Sequence, residues 1–272
     1  ELRTPLYGVS GLTSLLMENP DEKKAHEYLE SLKFSGDYLL ALINDVLQLS
    51  KIETNEVVLE KVSFDLRKLI EGIVNSLQTK QKSNSNNVHI SIDRVVNSTL
   101  LGDSIRLSQI LINLIGNALK FTTNGNIWIN VKCLESRDDN YKLRFVIKDD
   151  GIGIPQNKQK TIFDNFAQVK NQNQEYEGTG LGLAIVKKLI QLHDSEIYIK
   201  SEENKGSEFY FDLIYEKAIK GQEVSLNTGE NLSIGTSNFY ILIVDDNRIN
   251  QIVTQNILKK KGYTCNIANN GM

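Results

Sequence analysis

Two asparagines four residues apart and a lysine three further on, Asn113, Asn117 and Lys120, fall on one stripe of residues 103–121, opposite an apolar stripe of Leu107, Leu111, Leu114, Ala118 and Phe121. Both stripes keep the three-and-four spacing of an amphipathic helix. A polar stripe is ordinarily a wetted face, and Arg106 on the same side fits that plain reading. Asparagine is a poor helix former, however, and two amide oxygens with a cation along one line suit a divalent ion and a row of phosphates. Asp103, just ahead, is the expected N-cap.

A second cluster, Asp149-Asp150-Gly151-Ile152-Gly153-Ile154-Pro155, follows an apolar run at 143–147. Its glycines let the backbone approach a ligand, and a carboxylate there can accept from an exocyclic amine. Alone, the pattern reads equally well as an Asp-Gly turn. A third, Gly178-Thr179-Gly180-Leu181-Gly182-Leu183, opens a helical pattern, the arrangement that aims backbone N–H groups at an anion. It is neither a P-loop nor a dinucleotide fingerprint: no Gly-Lys-Ser/Thr is present, and the order of elements is wrong.

Taken in order, these segments resemble the N, G1 and G2 boxes of histidine kinases, and Phe163 and Phe166 in Ile162-Phe163-Asp164-Asn165-Phe166 resemble the F box between G1 and G2. Glu1-Leu2-Arg3-Thr4-Pro5-Leu6 is similar to the H box just after the phosphoacceptor histidine, which would stand immediately before Glu1. Gly206, Ser207 and Phe209 match the family's closing strand. Ile241-Leu242-Ile243-Val244-Asp245-Asp246-Asn247, followed by an amphipathic helix and Gly262-Tyr263, resembles the opening of a response-regulator receiver, making the chain a piece of a hybrid sensor kinase.

The resemblance implies ATP and Mg²⁺ as ligands. Asn117 would hold Mg²⁺, Asn113 and Lys120 would lie near the phosphates, and Asp149 would accept from the adenine amine, with Gly151 and Gly153 packing against the base. Gly178, Thr179, Gly180, Leu181 and Gly182 would form the phosphate turn and hinge of a lid over residues 156–177, with Phe163 and Phe166 inside it. Glu1 would act as general base on the histidine, and Thr4 would place a water for the reverse phosphatase reaction. Asp245 and Asp246 would hold Mg²⁺ in the receiver. His26, His89 and His193 lack a surrounding carboxylate arrangement and are assigned no catalysis. His193-Asp194-Ser195 departs from the family's Met-Gly-Gly, a change that bears on the turn rather than on nucleotide.

The elements that must position these groups are legible from periodicity. Residues 2–17 and a longer run with Tyr28, Leu32, Leu39, Leu42, Val46 and Leu49 form two amphipathic helices broken at Asn19-Pro20-Asp21. Such a hairpin buries its stripes only in a four-helix bundle, so a homodimer is expected. Pro5 should bend the first helix. Beyond it, strands at 88–92, 127–134 and 143–147 alternate with helices at 66–77, 103–121 and 180–192, an α/β sandwich; 217–238, rich in Gly, Ser, Asn and Thr, reads as a linker.

The expected architecture is therefore α+β. A dimerisation and histidine-phosphotransfer hairpin spans 1–54, an ATP-binding domain of the histidine kinase, gyrase and chaperone type 55–216, the linker 217–238, and the start of a doubly wound receiver 239–272. The expected activity is transfer of the γ-phosphoryl of ATP to histidine, then to a receiver aspartate in the same chain or another. Alternatives are a silent ATP-binding scaffold and a different ATPase sharing the nucleotide fold. With 272 residues, 40% hydrophobic, 24% charged and a net charge of −3, the composition is that of a soluble chain with dispersed cations, which argues against nucleic acid as a direct partner. No stretch suggests a membrane span, and the chain is expected to be the cytoplasmic portion of a membrane-anchored sensor. Cys133 and Cys265 are too far apart in sequence to suggest a disulfide framework or a zinc site.

Overall fold

The computed structural model describes residues 2–18, 20–54, 56–80, 85–96, 99–168, 178–218 and 240–270. Two compact units divide the chain, residues 1–223 and 224–272.

The first unit opens with the expected hairpin, α1 (Arg3–Met17) and α2 (Glu22–Glu53). Asp21 caps α2 by accepting from Lys24 N at 2.9 Å. The helices run antiparallel and close enough that a Cβ on Gly8 would meet Ser35 Oγ at 3.0 Å. On α2 the expected stripe is buried at Leu42 and Leu49, while Leu6, Met17 and a second line of Leu40, Ile43 and Leu47 remain between 41 and 79% exposed, so one hairpin leaves apolar surface in water. Pro5 falls in the first turn of α1, where backbone N–H groups lack an intrahelical partner, so it breaks no bond of the described helix.

Next come β1 (Val62–Asp65), α3 (Leu66–Lys80), β2 (Asn87–Ile92), β3 (Thr99–Gly102), α4 (Ser104–Phe121), β4 (Asn126–Ser136), β5 (Asn140–Asp149), α5 (Gly182–Gln191), β6 (Ile197–Glu202) and β7 (Gly206–Lys217). The strands form one seven-stranded sheet in the order β1-β3-β7-β5-β4-β2, with β6 also paired to β7; only β2 and β4 run parallel. Strict alternation puts Ile127, Ile129 and Val131, then Leu143, Phe145 and Ile147, then Phe209, Phe211, Leu213 and Tyr215 on the face that packs in the core. Trp128, Arg144 and Tyr210 alternate to the other face.

α4 is the central helix. Asp103 caps it by accepting from Arg106 N at 2.9 Å, as expected, and also ties down Glu60 N at 3.1 Å. Leu107, Ile110, Leu111, Leu114 and Ile115 are each at most 1% exposed. At about 1.5–3 kcal/mol per fully buried aliphatic side chain, this stripe alone anchors the helix to the sheet. The polar face is therefore held in place by the apolar one.

In the second unit, β8 (Tyr240–Val244) and β9 (Thr264–Ala268) pair in parallel across α6 (Arg248–Lys260), a β-α-β element. Asn247 caps α6 through a 2.8 Å bond from Ile249 N.

Candidate active site

Asn113, Asn117 and Lys120 are half-buried on α4. Asn113 Nδ2 donates to Gln109 O one turn back at 3.0 Å, and a Cβ on Gly182 would come within 2.5 Å of Asn113 Oδ1. A Cβ on Gly178 would sit 3.2 Å from Lys120 Nζ. The glycine-rich turn thus lies along the polar stripe, Asn113 near one end and Lys120 near the other, with Asn117 between them by helical spacing.

The second cluster meets the C-terminal end of the same helix. Ile152 N donates to Phe121 O at 3.2 Å, and a Cβ on Gly151 would fall 2.3 Å from that carbonyl oxygen, so no side chain fits. Asp149 ends β5 and is 6% exposed. Its Oδ1 accepts from Gly151 N at 2.9 Å and Ser207 N at 3.3 Å, while Oδ2 accepts nothing from the described residues. Burial pushes this carboxyl above the ordinary carboxylate range, against the pull of those two amides. Asp150 differs: burial raises it, but bonds from Asn126 Nδ2 and N at 2.9 and 2.7 Å, its own backbone amide and the nearby Lys148 together outweigh that and hold it low. Beside Gly151, Thr122 Oγ1 is buried without a partner among the described residues. A buried carboxylate with one oxygen fixed and one unclaimed, beside an orphaned hydroxyl, fits a heterocycle bearing an amine.

The F-box residues divide. Phe163 turns inward against the core, edge-on to Phe209 with ring centroids 6.4 Å apart. Phe166 is 44% exposed with φ +62°, and a Cβ on Gly180 (φ +71°) would lie 2.8 Å from its carbonyl carbon. Backbone rides on backbone there, in a conformation glycine adopts without strain. Leu181 is fully buried in the core, so only its backbone is available to a ligand. The first half of the expected lid is firmly packed: Ile162 is 6% exposed, and Gln159 Nε2 donates to Ile154 O at 2.9 Å and Ser201 O at 2.8 Å. Residues 169–177 lie outside the described residues, as do Glu1 and most of the linker.

Several contributors were not singled out from sequence. Ser207 N and Asn126 orient the carboxylate pair, and the first was signalled by its place after Gly206 in the closing strand. From α2, Tyr38 Oη donates to Gly178 O at 3.3 Å and Asp45 Oδ2 accepts from Thr179 Oγ1 at 2.7 Å. No spacing rule links residues so far apart in sequence.

Other expected site residues stand elsewhere. Thr4 is exposed on the first turn of α1. Asp245 and Asp246 follow β8 in the second unit, where Asp245 Oδ1 accepts from Asn247 N at 2.7 Å. His193 is half-buried with its titration lowered by burial, and the Asp194 after it takes φ +52°, the left-handed turn a glycine would make more easily. Among the described residues no group of three or more His, Cys, Asp or Glu is arranged to hold a metal ion. The site can bind and position, but the described part of it offers no acceptor nucleophile of its own.

Two family models match the chain: "His Kinase A (phospho-acceptor) domain" over residues 1–55 and "Histidine kinase-, DNA gyrase B-, and HSP90-like ATPase" over residues 102–217. Hybrid signal transduction histidine kinase K of Dictyostelium discoideum is 36% identical over 100% of this chain and 23% of its own length. Sensor histidine kinase AruS of Pseudomonas aeruginosa is 34% identical over 98% of this chain and 26% of its own. The chain therefore spans about a quarter of the length of these curated relatives. Among solved structures, full-length ShkA in complex with AMPPNP superposes with a TM-score of 0.63 at 26% identity, covering 98% of this chain and 53% of that one. A phospho-acceptor hairpin and an ATPase sandwich are matched in one chain, with relatives along its whole length, so the chain is similar to the kinase portion of the sensor histidine kinases of two-component systems.

Proposed function

We propose that the chain carries the phosphotransfer hairpin (1–54) and the ATP-binding domain (55–216) of a hybrid kinase, followed by a linker (217–238) and the start of a receiver (239–272). The observation that carries the ATP reading is the Asp149 carboxylate, buried and held by two backbone amides through one oxygen while the other faces no described donor. Asp149 Oδ2 would accept from the adenine amine, with Gly151 and Gly153 against the base. Asn113, Lys120 and the 178–182 turn would hold the phosphates. Asn117 would supply one ligand to Mg²⁺, which would neutralise charge on the phosphates.

The acceptor is a histidine in the position before Glu1. Its imidazole nitrogen forms a bond to the γ-phosphorus as the bond to the bridging oxygen of ADP breaks, and Glu1 takes the imidazole proton. Catalysis by the ATP domain rests on positioning and charge neutralisation. Two such hairpins would pair through the exposed stripe of Leu6, Leu40, Ile43 and Leu47 into a four-helix bundle. In the receiver, Asp245 and Asp246 at the end of a parallel strand would hold Mg²⁺ beside an acceptor aspartate, supplied in the same chain or by a partner. The parallel β8–β9 pair across α6 supports that reading. The whole protein would carry this portion in the cytoplasm, below a membrane-anchored input; no described helix is long and apolar enough to cross a membrane.

The test is transfer of labelled γ-phosphate from Mg·ATP to the full-length protein and to its Asn117→Ala and Asp149→Ala variants. Acid-labile, base-stable label lost in both variants is the expected result. Tight ATP binding without label in the parent would instead favour a silent scaffold.

A further inference from the structure

The phosphate turn is not only a part of the ATP domain; its first two residues are held by the hairpin. Tyr38 Oη donates to Gly178 O at 3.3 Å, and Thr179 Oγ1 donates to Asp45 Oδ2 at 2.7 Å while accepting from Leu181 N at 3.2 Å. Lower on the same face of α2, Gln48 Nε2 donates to Gln109 Oε1 at 2.9 Å, and Glu53 pairs with Lys188 at 3.8 Å. Asp45 is half-buried, and its titration is raised by that burial against the pull of Thr179, so it is a carboxylate given up to this contact rather than a solvated one.

Its level along the hairpin follows from the packing. Gly8 lies against Ser35, so in an antiparallel pair Arg3, the first residue of α1, is level with Leu40. Tyr38 and Asp45 bracket that level, about 3 Å and about 7.5 Å of helix rise to either side. The turn that would cradle the phosphates is therefore docked at the acceptor end of α1 of its own chain.

We propose that Asp45 is a positioning residue which, through Thr179, holds the phosphate turn at the acceptor end of the same chain's hairpin, so that phosphoryl transfer occurs within one chain of the dimer. This rests on the kinase reading and on the acceptor position proposed above. Asp45 touches neither ATP nor the reacting nitrogen; it acts by fixing where Thr179 and the helix start behind it stand.

Two experiments on the full-length dimer test it. In the first, Asp45→Ala should lower the autophosphorylation rate at saturating ATP about tenfold, the order expected for one hydrogen bond to a charged group. Affinity for a fluorescent ATP analogue should stay within about twofold, which also shows that the variant is folded. Asp45→Ala combined with Thr179→Val should be no slower than the slower single variant. An unchanged or increased rate in Asp45→Ala, or additive losses in the pair, overturns the assignment. The second uses heterodimers of one chain lacking the residue before Glu1's imidazole with one carrying Asn117→Ala. Absence of label is expected, and label equal to that of a half-active dimer overturns transfer within the chain. If the parent itself takes no acid-labile label, the kinase reading fails and this inference fails with it; a labelled parent with an unaffected Asp45 variant sinks this inference alone.

Discussion

Replacing Asp149 by asparagine separates what its charge does from what its shape does. The two side chains are nearly isosteric, so the pocket keeps its form. In the parent, Oδ1 takes both Gly151 N and Ser207 N, at 2.9 and 3.3 Å, and Oδ2 is left to an incoming amine. An amide has one oxygen. If it stays with the two backbone donors, the NH₂ group replaces Oδ2 and meets the adenine amine donor to donor. If it flips, the NH₂ group meets Gly151 N and Ser207 N instead. The flip would leave Gly151 N and Ser207 N facing a donor, so the unflipped orientation is kept and the hydrogen bond from the adenine amine to a charged acceptor is lost, about 1.5–3 kcal/mol, which corresponds to roughly 10- to 150-fold weaker adenine-nucleotide binding. The apoprotein should not suffer. Burial raises the Asp149 titration, so the folded state takes up its proton more readily than the unfolded chain does. The ionised form therefore costs stability once pH exceeds the unfolded value, and asparagine removes that cost. The expected result at neutral pH is a melting temperature no lower than the parent's together with the stated loss in affinity, measured by competition against a fluorescent ATP analogue. Binding within twofold of the parent would refute the assignment of Oδ2 to the base.

The same carboxylate predicts a pH profile: adenine-nucleotide affinity in the parent should fall on acidification, starting above the ordinary carboxylate range because burial raises the group, and Asp149→Asn should flatten that fall; calorimetric titration across pH reads both. Gly151→Ala would push a Cβ to 2.3 Å from Phe121 O, a backbone atom with little room to yield, so a loss of about 1–3 kcal/mol in urea unfolding is expected. Asp103→Ala removes the α4 cap and the anchor of Glu60 N at once; a cap alone is worth about 0.5–2 kcal/mol, and the loss should reach the upper end of that range in the same assay. Arg144→Ala is the contrasting case. Its two bonds to Asp212, at 2.7 and 2.9 Å, lie on the open face of the sheet with the arginine side chain 36% exposed, so unfolding free energy should change by less than about 1 kcal/mol.

Much of this architecture could be read from periodicity because the signals were long. α4 announced itself through eighteen residues of two-striped pattern with a capping aspartate, and the structure keeps both stripes and the cap. β3, four residues long, and β6, whose hydrophobic alternation is interrupted by Lys200 and Ser201, were not identified; strands that short owe their existence to β7 and β1 beside them rather than to their own sequence. The stretch after Pro155 looked like a polar lid, yet two apolar residues, Ile162 and Phe163, and one amide, Gln159, tie its first half to the core and to β6. Leu181 and Phe163 carried motif identity, but they pack in or against the core. The glycines, by contrast, were informative as glycines: at 151 and 180 a neighbouring backbone occupies the space a side chain would need. What no local pattern could show was the grip of α2 on the 178–179 backbone and hydroxyl, because it depends on a tertiary contact between separately patterned segments.

β7 begins beside the Asp149 carboxylate, through Ser207 N, and ends at Lys217. Ten of its residues are paired with β5 and six with β6. A slip by a single residue would swing Phe209, Phe211, Leu213 and Tyr215 from the core to the wet face of the sheet, so the strand behaves as a rigid strut rather than a sliding rod. A pull on the chain after Lys217 is borne by that ladder and does not displace the base pocket. On the proposed function, a change on nucleotide binding would be passed on by a softer route, for which the hydrogen-bonded seam between the 178–182 turn and α2 is placed.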